Sequence, residues 1–509
     1  MNNHNAGYEI VSPAAGAMIE SLRAYGYSPA TAIADIVDNS ISAGARNIKI
    51  TFYWSGRNSH VIILDDGCGM DEDTLVTAMR PGSHNPLEER SPFDLGRFGM
   101  GLKTASFSQC KRLVVQSKTL GTKPCLRAWD INHVIETNEW RLLKTTPYTT
   151  DAKLIDLEKY KSGTAVLWED LDKLMGVGDH NNEYTHNRFN QTIDDVRAYL
   201  EMVFHNYLAG MNPRIRIELN NNRLKPWDPF YTEHPCTIEF PSDPIVHAHG
   251  TTNITGFVLP HKDKLTPEEY KRQEGPGGWN ARQGFYIYRN NRLLVPGGWL
   301  GLGRTRAWMK EEQFKLARIR IDIPNTLDFD WLIDVKKSTA HPPAWIRGRM
   351  TDLAEKVRNK ARQVFVHRGH YQPRDASVEI TRIWKTHESR GVISYKIDRS
   401  HYLIKAMNAI TMTEKHKELF SALLRTIEET VPIARIWLDT AETSENHGRP
   451  FVTSEDIELK RLIKLSITLL KENGKTKEAA VKTLKQEEAY LDHHDMIDEL
   501  ALEVYDVFQ

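Results

Sequence analysis

Two polar side chains stand one helical turn apart in an otherwise apolar stretch near the start of the chain. They are Asp35 and Asn39, and the apolar residues around them recur at helical spacing. This periodicity predicts a helix that begins near Ser28 and Pro29 and carries both side chains on one face. On such a face, a carboxylate can orient and deprotonate a water molecule, and an amide oxygen can bind Mg²⁺, a hard cation.

A second carboxylate stands at the predicted end of a strand. Asp65 follows the apolar run from His60 to Leu64 and precedes Gly67 and Gly69. A carboxylate in that place can accept a hydrogen bond from an exocyclic amine such as that of adenine, and the glycines let the backbone pass close to a flat base. Further along, Ser-Gly-Thr at 162–164 opens another apolar run.

A glycine-rich stretch at 96–103 completes the set of four elements. It consists of Gly-Arg-Phe-Gly-Met-Gly-Leu-Lys and leads into a predicted helix that starts near Leu102. Exposed backbone amides followed by a helix N-terminus form a cradle for phosphate groups. A glycine-rich loop alone is weak evidence, but four elements in this order and spacing indicate an ATP-binding protein.

The four elements resemble the boxes of the GHKL superfamily, which comprises gyrase, heat-shock chaperone, histidine kinase and MutL proteins. The element with Asp35 and Asn39 and the glycine-rich stretch at 96–103 are similar to those of the Microrchidia (MORC)-like branch. This branch includes prokaryotic ATPases of defence and restriction systems. The resemblance implies an α+β fold with an N-terminal Bergerat-type α/β sandwich, an S5-like transducer domain and a mostly helical C-terminal region. The expected domain boundaries are 1–205, 206–370 and 371–509.

The resemblance also implies roles for individual residues. Asp35 takes the place of the catalytic glutamate, Asn39 binds Mg²⁺, and Asp65 reads the adenine of ATP with support from Thr164. Position 35 carries Asp where most ATP-hydrolysing relatives carry Glu, which predicts slow turnover, and Asp38 is the alternative base. The other residues expected to contact the nucleotide are Gly67, Gly69, Met70, Gly96, Arg97, Phe98, Gly99, Met100, Gly101, Leu102 and Lys103.

A lysine of the second region is expected to reach the γ-phosphate, as a transducer lysine does in gyrase, MutL and topoisomerase relatives. Asp-Val-Lys-Lys-Ser-Thr at 334–339 offers Lys337 as the first choice and Lys336 as the alternative. A solvated lysine pair on a loop is the competing interpretation. The turn at 289–292, between two apolar strands, is similar to the vNgR hairpin found after GHKL domains.

Two segments are expected to respond to the nucleotide. Residues 80–94 lie between two of the ligand-contacting motifs and are rich in Pro, Ser, Asn and charge, which predicts either an ATP lid or a solvated loop. Residues 1–8 form either a strap exchanged between the protomers of an ATP-bound homodimer or an unstructured tail.

Hydrophobic periodicity predicts further elements around these motifs. In the first region, we expect strands at 48–54, 60–64, 112–117 and 164–169, and helices at 14–25 and 188–207. The second region turns to strands, at 214–219, 251–259, 284–288 and 316–323. Beyond residue 371, short strands at 383–384 and 392–397 precede helices at 415–431, 454–471 and 476–490.

A basic helix is expected after Pro343. Its charges form either a solvated face or a stripe that faces DNA, and they are Arg347, Arg349, Lys356, Arg358, Lys360 and Arg362. The whole chain has 67 Lys and Arg against 67 Asp and Glu, so bulk charge favours neither nucleic acid nor membrane, and any DNA surface must be local.

Composition and pattern also bear on location and metal content. The four cysteines are scattered, and we expect no signal peptide and no membrane span, which favours a reducing cytoplasm. Among the histidines there is no H-E-x-x-H or comparable set, so no zinc site is expected.

Together, these features predict an ATP-operated dimeric clamp that acts on duplex DNA in a bacterial phage-defence or restriction system. No nuclease signature is evident in the chain, so cleavage is assigned to a nuclease or helicase partner protein. A chaperone-like ATPase acting on protein clients and a nucleotide-sensing scaffold without hydrolysis are the alternatives from other classes.

Overall fold

The computed structural model separates the chain into two compact units, residues 1–362 and 363–509. None of the described helices combines the length and the hydropathy that a membrane span requires. The described residues are 13–82, 101–175, 182–248, 250–333, 339–366, 383–389, 392–409, 413–432, 456–487, 490 and 493–506.

A mixed seven-stranded sheet forms the first half of unit 1. Its strands are β1 Asn47–Tyr53, β2 His60–Asp65, β3 Arg112–Lys118, β4 Cys125–Asp130, β5 Gly163–Glu169, β6 Arg216–Leu219 and β7 Asn222–Arg223. They lie in the order β4-β3-β5-β2-β1-β6-β7, and only the β1–β6 pair is parallel. The strand at 214–219, expected in the second region, therefore belongs to this sheet, because it pairs with β1.

Helices cover this sheet and supply its core. They are α1 Ala15–Arg23, α2 Pro29–Ser42, α3 Glu72–Met79, α4 Gly101–Phe107, α5 Ile131–Thr137, α6 Tyr148–Asp151, α7 Asp172–Met175, α8 Glu183–Val203 and α9 His205–Leu208. Helix α2 begins where the sequence predicts, because Ser28 Oγ accepts a hydrogen bond from the Thr31 amide at 3.2 Å and Pro29 occupies the first turn. Its apolar side is buried in the core of unit 1.

A second sheet completes unit 1. Its strands are β8 Ile238–Glu239, β9 Asp243–His247, β10 Gly250–Val258, β11 Gly284–Arg289, β12 Arg292–Pro296 and β13 Ala317–Ile323. The order is β12-β11-β13-β10-β8, with β9 also paired to β10, and β11 runs parallel to β13. The accompanying helices are α10 Pro267–Glu274, α11 Gly278–Ala281 and α12 Ala344–Val366. Phe257, Tyr286, Tyr288 and Leu293 belong to the same hydrophobic cluster as residues of the first sheet and its helices, so the two sheets share part of one core.

Unit 2 is mostly helical. A hairpin of β14 Trp384–Ser389 and β15 Val392–Ile397 precedes α13 Tyr402–Ala409, α14 Glu414–Glu429, α15 Asp456–Glu472, α16 Lys477–Lys485 and α17 His494–Asp506. Its core includes Leu459, Ile463 and Ile467 from one side of α15. The α+β fold class and the helical C-terminal region are therefore confirmed, whereas the division into three domains and the S5-like nature of the second stay predictions.

The prediction that Arg358 belongs to a basic stripe on the surface of α12 is wrong. This side chain is only 6% exposed, and its guanidinium lies 4.5, 4.7 and 3.7 Å from the ring centroids of Trp299, Trp308 and Phe314. Burial lowers the pKa of Arg358 to about 10, and Glu311 at 3.8 Å partly offsets that effect. Arg358 therefore anchors α12 to the segment before β13 and does not face a ligand, because the aromatic rings enclose the cation.

Truncation of Arg358 should destabilise the protein through this cluster. We expect Arg358→Ala to lower the free energy of unfolding by about 2 kcal/mol, since the variant has neither the desolvated cation–aromatic interaction nor its packing. Arg362→Ala, at an exposed position one turn further along the helix, is the matched control and should have little effect. Thermal unfolding checks this, and equal shifts in Tm for the two variants would contradict the burial of Arg358.

Candidate nucleotide-binding site

Asp65 ends β2 in a buried, hydrogen-bonded position. It is 7% exposed; its Oδ1 accepts from the Gly67 amide at 2.9 Å, and its Oδ2 accepts from Ser40 Oγ at 2.8 Å. Burial raises the pKa of Asp65, and the hydrogen bonds from Gly67, Ser40 and Thr164 work against that rise. A carboxylate has about four acceptor positions, so this one retains capacity for a further donor.

Residues on the neighbouring strands β5 and β3 hold the backbone around Asp65 in place. Thr164 lies opposite Asp65 in the β2–β5 register, and Ser117 lies opposite Thr164 in the β3–β5 register. The Ser117 and Thr164 hydroxyls are 2.8 Å apart, and Ser117 Oγ also accepts from the Met70 amide at 2.8 Å. Three adjacent strands thus fix the segment that follows Asp65.

Two glycines let the backbone approach closely around Asp65. Gly69 has φ +70°, and a Cβ at that position would lie 1.9 Å from the Lys118 carbonyl oxygen. Gly163 has φ +149°, and its Cβ would lie 2.2 Å from the carbonyl oxygen of Asp65. Glycine is therefore required at both places for steric as well as conformational reasons.

Asp35 lies on α2 with a defined set of neighbours. It is 2% exposed, its Oδ2 accepts from the Tyr27 hydroxyl at 2.8 Å, and its Oδ1 lies 3.8 Å from an Arg292 guanidinium nitrogen. Asp38, the alternative base, is fully buried, and its two oxygens lie 2.9 and 2.8 Å from Nε of Arg292. Arg292 Nε engages both oxygens of Asp38 directly, which makes Asp38 the poorer candidate for deprotonating a water molecule.

The remaining predicted residues are only partly described. Asn39 is exposed one turn after Asp35, and Gly101 begins α4 next to that carboxylate, since a Cβ on Gly101 would lie 3.8 Å from Asp35 Oδ2. The amine of Lys103 is buried and donates to the Ala78 carbonyl at 2.8 Å, and burial lowers its pKa to about 8. Leu102 is half-buried in α4. The predicted residues outside the described ranges are Gly96, Arg97, Phe98, Gly99, Met100, Lys336 and Lys337, together with 83–94 of the lid and the strap at 1–8.

Four residues at the site escaped the sequence-based prediction of roles. Ser40 and Ser117 are small hydroxyl residues whose partners are distant in sequence, and Tyr27 precedes the helix that it contacts. Arg292 ends the predicted hairpin turn, which is a positional signal for it, yet Asp38 on α2 is 254 residues away. Hydrophobic periodicity carries no information about such long-range polar contacts.

Comparison with known proteins identifies the domain that contains this site. Residues 27–164 match the family described as Histidine kinase-, DNA gyrase B-, and HSP90-like ATPase. The chain therefore carries a GHKL ATPase domain, and all four predicted sequence elements fall within the matched stretch.

Similar curated proteins match a stretch of about a hundred residues. The DNA mismatch repair protein MutL of Buchnera aphidicola subsp. Acyrthosiphon pisum (strain Tuc7) is 38% identical over 93 residues, 18% of this chain and 16% of that protein. ATPase morc-1 of Caenorhabditis elegans is 31% identical over 93 residues, 18% of this chain and 10% of that protein. MutL of Rickettsia prowazekii (strain Madrid E) is 31% identical over 106 residues, 21% of this chain and 16% of that protein. The match thus spans only a small part of each of these relatives.

Replacement of Asp65 by Asn should abolish ATP binding without unfolding the protein. The amide oxygen of the new side chain can still accept from Gly67, but its amide nitrogen presents a donor where an adenine amine needs an acceptor. Calorimetric titration with ATP measures the effect, and Asp73→Asn, at an exposed carboxylate on α3, is the control of equal charge. Undiminished affinity in folded Asp65→Asn protein would show that Asp65 does not read the base.

Proposed function

We propose that the GHKL domain of this chain binds Mg-ATP and hydrolyses it with Asp35 as the general base. The observation that carries this proposal is the position of α2. This single helix holds Asp35 and also Ser40, whose hydroxyl donates to Asp65. A rigid helix therefore sets the distance between the base and the carboxylate assigned to the adenine.

The surroundings of Asp65 support its assignment to the adenine. The carboxylate is buried beside two close-packed backbone segments, at Gly67 and Gly69, where side chains larger than hydrogen do not fit. An exocyclic amine can donate to the remaining acceptor capacity of the carboxylate, while Thr164 and Ser117 hold the supporting backbone. The phosphates would then extend toward Gly101 at the start of α4.

Asn39 fits the role of a magnesium ligand. It is exposed on the same face of α2 as Asp35, and an amide oxygen is a ligand type that Mg²⁺ accepts alongside water and phosphate oxygens. Magnesium, when bound, neutralises charge on the phosphates. Among the described residues no three His, Cys, Asp or Glu side chains cluster as a protein-only metal site would.

Asp35 has the geometry to activate water. The Tyr27 hydroxyl fixes one carboxylate oxygen at 2.8 Å and so orients the group beside the start of α4. As the water oxygen bonds to the γ-phosphorus, its proton passes to Asp35 and the bond to the ADP oxygen breaks. The shorter Asp side chain demands closer approach of that water than Glu would, and we therefore expect slow turnover.

Nucleotide binding would operate a homodimeric clamp on DNA. In this proposal, the lid at 80–94 orders over ATP, Lys337 (or Lys336) contacts the γ-phosphate, and two chains close around duplex DNA. Two of the relatives cited above are DNA mismatch repair proteins, which supports DNA as the bound molecule. A cytoplasmic phage-defence role with a nuclease or helicase partner is the biological setting that we propose.

Helix α12 retains a smaller basic stripe for DNA. Arg349, Lys356 and Lys360 are seven and four residues apart and so lie on one side of the helix. Lys356 is exposed, Lys360 is half-buried, and Arg349 donates to Asp243 at 2.6 and 3.0 Å. Arg347 is exposed on the side of the helix opposite to Lys356.

Replacement of Asp35 by Asn should separate binding from hydrolysis. We expect Asp35→Asn to bind Mg-ATP with near-normal affinity and to release phosphate about 10²-fold more slowly, a typical contribution of a positioned general base. Asp194→Asn, at an exposed carboxylate on α8, is the control and should hydrolyse at the wild-type rate. Wild-type turnover by Asp35→Asn would remove Asp35 from the base role.

Charge reversal on α12 tests the DNA surface. We expect the double variant Lys356→Glu, Lys360→Glu to bind duplex DNA more weakly, with the slope of log affinity against log salt reduced by about one for each phosphate that is no longer neutralised. Arg347→Glu is the matched control and should retain affinity. Binding is measured at several salt concentrations with and without a non-hydrolysable ATP analogue. DNA binding that is absent, or equal with and without nucleotide, would favour the chaperone or the scaffold.

A further inference from the structure

Arg292 brings a buried positive charge from the second sheet to the proposed catalytic helix. It begins β12 in the second sheet and is fully buried. Its Nε donates to Asp38, with N–O distances of 2.9 and 2.8 Å, while a terminal nitrogen lies 3.8 Å from Asp35 Oδ1. One guanidinium thus interacts with two carboxylates of α2, on successive turns of the helix.

The backbone that carries Arg292 is held in place by a tight turn. Asn290 and Asn291 have φ of +48° and +66°, as a two-residue hairpin turn of type I′ requires. Their carbonyl oxygens accept from the Tyr207 hydroxyl at 2.5 Å and from the Asn206 amide at 3.1 Å, both on α9. The position of the guanidinium is therefore tied to the position of this hairpin.

The charges around Arg292 are balanced in favour of its cationic form. Burial alone lowers the pKa of Arg292, but Asp38, Tyr199 and Asp35 raise it, and the net change is upward. A fixed cation at 3.8 Å from Asp35 favours the ionised carboxylate, the form that a general base requires. Because the closest bonds of Arg292 go to Asp38, its influence on Asp35 is mainly electrostatic.

We propose that Arg292 is a positioning residue that keeps Asp35 ionised and oriented for water activation, and that it makes this carboxylate dependent on the hairpin of the second sheet. This inference rests on the proposed role of Asp35 as the base. Arg292 itself need not touch the nucleotide, since it acts through Asp35. Displacement of the hairpin would withdraw the cation and lower the rate of hydrolysis while the adenine contacts of Asp65 remain.

The test uses variants that preserve the fold while removing the charge. Arg292→Gln alone would strand the buried charge of Asp38, so the double variant Asp38→Asn, Arg292→Gln replaces the ion pair with a neutral hydrogen-bonded pair. We expect this full-length variant to bind a non-hydrolysable ATP analogue within about threefold of wild type and to release phosphate at least about tenfold more slowly. Arg292→Lys keeps the charge, so it should retain more of the turnover than the double variant does, with unchanged affinity for the ATP analogue. If the double variant does not fold, the turnover of Arg292→Lys is measured instead.

A second buried ion pair of the same hairpin provides the matched control. Arg289 pairs with Asp328, and the double variant Arg289→Gln, Asp328→Asn neutralises it in the same way. If Arg292 served only to anchor the hairpin, both double variants would lower stability and turnover together. We expect instead that only the Arg292 variant lowers turnover per folded molecule.

A double-mutant cycle links the effect to Asp35. In the Asp35→Asn background, the Asp38→Asn, Arg292→Gln changes should cause no further loss of the residual rate, because they act through the missing carboxylate. An additive loss, or wild-type turnover in the folded Arg292 variant, overturns the inference. Failure of Asp35→Asn to slow hydrolysis overturns the proposed base as well, so the two failures are distinguishable.

Discussion

Three carboxylates lie buried in and beside α2, and their need for partners shapes the surroundings of the site. A buried charge without a partner costs on the order of several kcal/mol, so Asp35, Asp38 and Asp65 each require polar neighbours. Asp35 accepts a hydrogen bond from Tyr27, and Asp38 pairs with Arg292. Asp65 accepts hydrogen bonds from Ser40 and from the Gly67 amide. Arg292 lies on β12, so the second sheet supplies the positive charge that neutralises the carboxylates of α2.

The Arg292 ion pairs lie beside a hydrophobic cluster to which both sheets of unit 1 contribute residues. The hairpin of β11 and β12 must approach α2 closely for Arg292 to reach Asp38, and Tyr288 and Leu293 then pack into the same core. His205 on α9 meets the Tyr288 hydroxyl at 2.8 Å, which adds a polar contact across that junction. The second sheet therefore contacts the helix that carries Asp35 through both apolar packing and buried polar side chains.

Local patterns were sufficient to predict the elements that carry the site. Helix α2 begins at Pro29 because its cap and first-turn residues are adjacent in sequence, and β2 ends at Asp65 because the glycines follow at once. The partners of Asp38 and Thr164 could not be predicted, since Arg292 and Ser117 are distant from them in sequence. Arg358 shows the opposite error: its charge suggested exposure, but three aromatic rings from a preceding segment enclose it.

Phosphate release by the full chain tests the central claim most directly, with Mg-ATP supplied at increasing concentration and duplex DNA present or absent. We expect slow, saturable release that requires magnesium and changes when DNA is added. ATP that binds to the chain without any release of phosphate, under both conditions, would contradict hydrolysis and leave a nucleotide-sensing scaffold.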